Sequence, residues 1–308
     1  MKSRAAFLLM ALIMVASGAR ADSISGGNAT LTKGDRVQLE YVSSGEAFKA
    51  FKPYIRQLSS PGGVNLLRDN VADHIHHHAL MFAVAVDGVD FWSEQKNCGK
   101  QLQKSLSFRG TGGKPGNWAR RLLQGELEWV SSDGKPIAKE SRTIELYGGT
   151  PDCTMLTWRT RLSPPADKQS IQVTGSHYFG LGMRFVESMD KADSFMFAEI
   201  DAKSTVVRGS EKVTPSKWVA FSGPVDGKVV TVAMFDYPNN QRKAYWFTMY
   251  DAFAYLSATI NLFREPLTVK ADQPLDLRYG LAVWDGKVDR QQVEKACQHW
   301  LQLVDAAK

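Results

Sequence analysis

Cysteine is scarce in this 308-residue chain, since Cys98, Cys153 and Cys297 are its only three. They permit one disulfide at most with a thiol left over, which excludes a disulfide framework as the main source of stability. An excess of one charge is nearly lacking as well. The formal +6 includes Lys2, Arg4 and Arg20 of an amino-terminal segment without acids, which leaves +3 spread among carboxylates. So small an excess gives no basis for a nucleic-acid groove. No long apolar run follows the amino terminus, so no membrane span is expected there. Internal repeats and low-complexity tracts are absent, and no G-x-S-x-G nucleophile elbow occurs. Gly110-x-Gly112-Gly113-Lys114 lacks the Gly-Lys-Ser/Thr order and the following helix of a phosphate loop.

What is present begins with an export pattern. Met1 to Arg4 form a positive n-region, Ala5 to Val15 an apolar h-region, and Ala19-Arg20-Ala21 a small-x-small cleavage site. The expected organisation is a signal peptide over 1–21 and one domain over 22–308, in a product that is periplasmic or secreted. Within that domain β-branched and aromatic residues nearly alternate over Arg36 to Tyr41, Gly125 to Val130, Thr143 to Leu146, Thr154 to Leu162, Ser170 to Phe179, Val229 to Phe235 and Leu275 to Trp284. Asp-Gly pairs at Asp87-Gly88, Asp133-Gly134, Asp226-Gly227 and Asp285-Gly286 supply turn signals between them. Only the carboxy terminus reads as helix: Asp289 can cap, Gln292 sits three residues on, and Val293, Ala296, Cys297, Trp300, Leu301 and Val304 share a face. The predicted class is all-β, a large antiparallel two-sheet supersandwich with a C-terminal helix.

Four of the six histidines fall within Asp73-His74-Ile75-His76-His77-His78. Imidazole titrates near neutral pH and is the commonest metal ligand, so this density beside a carboxylate marks the chemical centre. An extended segment would point His74, His76 and His78 to one side, and Asp73 and His77 to the other. A His-x-His pair on a strand suits a divalent metal such as zinc, manganese or iron, with His177 as the distant third ligand. Metal-free acid/base use of His74 and His77 suits the same residues, with Asp73 orienting an imidazole.

Lys52-Pro53-Tyr54-Ile55, Ser60-Pro61-Gly62-Gly63, Asp73-His74-x-His76-His77 and Asp87-Gly88-Val89-Asp90-Phe91-Trp92 occur in that order. Tyr178 to Arg184, Asp236-Tyr237-Pro238-Asn239 and Arg278-Tyr279-Gly280-Leu281 follow. These segments resemble the family labelled "methane oxygenase PmoA" over nearly the whole mature chain. Ile75, His78 and Tyr237 depart from its usual Pro, Arg and His. A true methane monooxygenase subunit is built from membrane-spanning helices, which this chain does not show. What the resemblance implies is an exported relative of galactose-mutarotase-like supersandwiches with carbohydrate as its substrate class. Trp92 would then offer an apolar face to a pyranose, and Asp90, Arg184, Asp236 and Asn239 directional hydrogen bonds. The implied activity is lyase, epimerase or hydratase chemistry on a sugar or keto-sugar derivative. The alternative is a non-catalytic glycan-binding or interaction module on the same fold.

Overall fold

Alternation of apolar and polar residues requires strands with one face in a core, and strands occupy most of the chain. The computed structural model describes residues 22–44, 50–69, 71–113, 117–150 and 152–306. The export segment at 1–21 and residues 114–116 of the glycine-rich loop lie outside the described residues. Every strand pairing among the described residues is antiparallel. One sheet of ten strands runs, in spatial order, Ser23–Ser25, Asn28–Lys33, Arg36–Val42, Tyr54–Leu58, Leu80–Ala83, Gly180–Arg184, Tyr255–Thr259, Tyr245–Met249, Glu211–Pro215 and Thr205–Arg208. A second, of eight, runs Phe195–Phe197, Trp218–Val225, Lys228–Asp236, Leu275–Asp285, Thr154–Ser163, Pro136–Tyr147, Arg120–Val130 and Lys100–Thr111.

These two sheets share one core, as the supersandwich expectation requires. Leu31, Leu39, Ile55 and Leu181 of the first meet Leu123, Ile144, Leu156 and Trp158 of the second. Phe82 contacts Trp129 and Phe185 contacts Phe221 across the interface. Each such side chain, fully buried, contributes about 1.5–3 kcal/mol against its exposed state. Asp226-Gly227 turns the hairpin Trp218–Val225 to Lys228–Asp236 with φ of 49° and 74°, the doubly left-handed turn for which Asp-Gly is suited. The helix Arg290–Asp305 starts in a reciprocal capping box between Asp289 and Gln292. It buries Val293, Cys297, Trp300 and Val304 on the outer face of the eight-stranded sheet, where Trp300 lies over Gly280. No helix among the described residues is long and apolar enough to cross a membrane. All three cysteines are free and buried.

A third sheet of four short strands, Leu267–Lys270, Ser170–Thr174, Ala85–Val86 and Val89–Asp90, determines where the histidines go. The chain passes from Leu80–Ala83 directly into Ala85–Val86, leaving the ten-stranded sheet for the small one. It returns from Ser170–Thr174 to Gly180–Arg184 through residues 175–179, so Ser170 to Phe179 is a strand followed by a turn and not one continuous strand. Gly180 pairs with Ala83 and Arg184 with Tyr255. The register therefore gathers the segment 71–79, the 250–254 connection and the turn between Arg208 and Glu211 at one end of the large sheet.

Candidate functional site

The histidine segment is not extended. His74 N–H donates to the Val71 carbonyl at 3.0 Å and His77 N–H to the His74 carbonyl at 2.8 Å, so two successive turns replace the strand. Ala79 then takes a φ of 44° before Leu80 enters the sheet. Turns change which side chains meet: the expected face of His74, His76 and His78 does not form. Instead His74, His76 and His77 cluster, with ring centroids 5.7 Å apart for His74 and His76, 4.6 Å for His74 and His77, and 4.5 Å for His76 and His77.

His78 points the other way, into a buried charge network. One ring nitrogen lies 2.9 Å from Asp69 and the other 3.0 Å from Glu94, and the ring stacks on Tyr54 at 4.6 Å. With carboxylates on both nitrogens the ring holds two protons. Burial opposes that charge, but the Asp69 and Glu94 hydrogen bonds outweigh it and raise the pKa. Lys52, wholly buried, donates to Glu94 and to the Trp92 carbonyl, and Tyr54 donates to Asp69 at 2.7 Å. Burial alone would raise the Glu94 pKa; the bond from His78 and the charge on Lys52 hold it below the ordinary carboxylate value. This network anchors the strand end from which the other three histidines project.

Those three line a cavity of about 580 Å³ with Tyr178, Phe247 and Tyr255 among its aromatic walls and Arg208, Glu211 and Asp251 among its polar ones. Burial keeps two of the imidazoles neutral. His76 falls to about 4 and His77 to about 2, desolvation being the main cause and neighbouring positive groups adding to it. Asp73 sits on the exposed side with Oδ2 2.9 Å from His74 Nδ1, and that contact holds its carboxyl below the usual value. His77 stacks on Tyr255 at 5.1 Å. Burial raises the Tyr255 hydroxyl far above the ordinary phenol value, so it stays protonated.

Gly182 explains how Tyr255 fits. A Cβ at that position would lie 1.8 Å from the Tyr255 hydroxyl oxygen, so the hydroxyl occupies the space the missing side chain leaves. Arg184, two residues on and paired with Tyr255 in the register, is 2% exposed, and its guanidinium lies 3.5 Å from the centre of the Phe253 ring.

Several expected site residues are elsewhere. His177 does not join the other histidines and does not line the cavity; it faces Glu211 Oε2 at 3.4 Å and packs beside Phe247. Among the described residues no group of three His, Cys, Asp or Glu side chains is arranged to hold a metal ion. The ligand set His74, His76 and His177 is therefore not assembled. Trp92 is a core residue stacked on Phe179 at 5.0 Å, and not an open sugar platform. Asp90 spends its oxygens on Trp92 N–H, Ser93 N–H and the Ser93 hydroxyl, as a turn former. Asp236 accepts from Asn240 and Ala244 N–H at the end of a strand in the other sheet, and Asn239 contacts the Tyr237 hydroxyl. Neither lines the cavity. Conversely the sequence pattern does not mark Tyr255, Phe253, Phe247, Glu211 or Glu94. Glu94 lies two residues beyond Trp92, whereas the others arrive through long-range register.

No curated protein matches the chain in sequence. Among solved structures it is similar to the GH36 alpha-galactosidase AgaB of Geobacillus stearothermophilus, with 8% identity and a TM-score of 0.49 over 87% of this chain and 41% of that one. It is also similar to the alpha-galactosidase of Lactobacillus brevis, with 7% identity and a TM-score of 0.47 over 86% of this chain and 40% of that one. The chain thus spans about two fifths of the length of these neighbours. Residues 28–298 match the family described as "Family of unknown function (DUF6807)", and the chain belongs to that family.

Proposed function

We propose that the cavity takes a sugar or keto-sugar derivative and that the protein is an exported carbohydrate-active enzyme moving a proton at the carbon next to a carbonyl, in lyase, epimerase or hydratase chemistry. The observation that carries this reading is the cluster of His74, His76 and His77 at the wall of an aromatic and polar cavity, with burial holding two of the rings neutral. The motif resemblance to the PmoA-labelled family supports the substrate class.

The roles divide by environment. His74 is the base: Asp73 Oδ2, 2.9 Å from Nδ1, is a negative charge that favours the proton on that nitrogen and leaves Nε2 with its lone pair. His77, with a pKa of about 2, is too weak a base for that task. A neutral imidazole can instead donate a hydrogen bond to a carbonyl oxygen as it gains charge, and His76 can do likewise. Phe247 and Tyr178 offer ring faces to the apolar side of a pyranose.

Proton abstraction is read directly by deuterium wash-in. The mature chain is incubated in D2O with a panel of keto-hexosides, and the C–H signal next to the carbonyl is followed by NMR. The wild type is expected to exchange or convert at least one member, and His74→Gln to lose about 10²- to 10⁴-fold in rate without loss of fold. Full activity in His74→Gln would remove the base assignment. Sugar binding without any exchange or turnover would make the protein a non-catalytic glycan-binding module.

A further inference from the structure

Buried polar atoms almost always find partners, because an unpaired one costs about 1–3 kcal/mol and a charged one more. Here unpartnered buried groups gather at one place. The Tyr255 hydroxyl, Trp92 Nε1, His77 Nδ1 and both Nε and Nη1 of Arg184 have no hydrogen-bond partner among the described residues. Tyr255 and Arg184 are directly opposite across two neighbouring strands, and the Tyr255 ring meets both His77 and Trp92. The Trp and Tyr groups and the guanidinium are all donors, so what is missing is an acceptor, and the one permanent charge asks for an anion.

Arg184 has neighbours that could have neutralised it, yet they are engaged elsewhere. Asp190 accepts from Ala254 N–H at 2.7 Å and lies 4.0 Å from Arg68. Asp73 is half-exposed, with Oδ2 2.9 Å from His74 Nδ1. The guanidinium is left against the face of Phe253, a ring that also lines the cavity. Without a ligand this arrangement is a net cost to the fold, since a cation–π contact returns only about 0.5–2 kcal/mol against burying a charge.

We propose that Arg184 and Tyr255 form a carboxylate pocket at the floor of the cavity, covered by Phe253, and that the sugar taken by this site is an acidic one, a uronate. This rests on the cavity being a sugar site. The Phe253 ring shields the guanidinium until the carboxylate takes its place, and the sugar ring then lies toward His74 and His77.

The test is calorimetric titration of the full mature chain with glucuronate and galacturonate, with their neutral parents glucose and galactose, and with succinate as a carboxylate that is not a sugar. The wild type is expected to bind at least one uronate at least about tenfold tighter than its neutral parent. Arg184→Met should abolish that preference and raise Tm, because it replaces an unpartnered buried charge by an apolar chain of similar length. Phe253→Ala should tighten uronate binding. Equal affinity for acid and neutral sugars, or a uronate preference that survives in Arg184→Met, overturns the carboxylate pocket and leaves the sugar site standing. Succinate binding that depends on Arg184, with no sugar bound, upholds the pocket and overturns the sugar reading. No binding of any of the five overturns both.

Discussion

Replacing Glu94 with Gln removes one charge from the buried network and keeps its shape. In the native protein Glu94 faces Lys52, which is 0% exposed, and His78, whose second nitrogen is on Asp69. Breaking a buried ion pair on one side typically costs about 3–5 kcal/mol, because the surviving charge is left without compensation. Gln keeps one acceptor, so the cost falls at the low end, and at about 2 °C per kcal/mol for a chain of this size Tm should drop by about 6 °C. The pH dependence is specific. Glu94 has a depressed folded pKa, so its contribution is complete above the unfolded value of 4.5 and lost as pH falls. His78 has a raised folded pKa, so its contribution is complete below 6.5 and lost as pH rises through the raised value. The deficit of Glu94→Gln, measured by differential scanning calorimetry, should therefore be greatest between about pH 4.5 and 6.5 and shrink on either side. A variant melting within 1 °C of the wild type near about pH 5.5, or a deficit independent of pH, would refute the network as a stabilising device.

Gly182→Ala should drive the Tyr255 hydroxyl from its place, costing about 1–3 kcal/mol in denaturant titration and lowering sugar affinity along with stability. Gly280→Ala should set a methyl against Trp300 and loosen the C-terminal helix, lowering Tm without altering affinity at the cavity on the opposite sheet. His77→Asn should make the fall of Tm between pH 6.5 and acid shallower, because a histidine held at about 2 contributes stability above its unfolded pKa that disappears as pH drops. A thiol-reactive dye should label none of the three buried cysteines in the native state and all three in denaturant; rapid native labelling would contradict their burial.

The β-class was legible because period-two patterning and Asp-Gly turns are local signals, and the helix because its cap and its apolar stripe are contiguous. The histidine run lies on the cavity, with a geometry other than the one its alternation implies. An alternation argument assumes a strand, whereas the Val71 and His74 carbonyls close two turns that bring His77, and not His78, beside His74. By sequence His78 is one more imidazole of the cluster, since nothing nearby announces that Asp69 and Glu94 close on it from either side. Asp236 and Asn239 resemble sugar ligands as a motif, but they lie at and just beyond the end of a strand of the other sheet, with polar atoms used in a turn. Tyr255 and Phe253 were invisible to sequence reasoning because only the pairing of Tyr255–Thr259 with Gly180–Arg184 carries them to the histidines.

Adjacent histidines are of two chemical kinds: His76 and His77 are neutral rings on the cavity, and His78 is a cation locked between carboxylates. Long-range imidazole nitrogen–proton correlation spectra of the mature protein at about pH 5.5 test it directly, because an ordinary imidazole is about 90% protonated there. His76 and His77 should give neutral-tautomer patterns and His78 the doubly protonated pattern. Protonated His76 and His77, or a neutral His78, would contradict it.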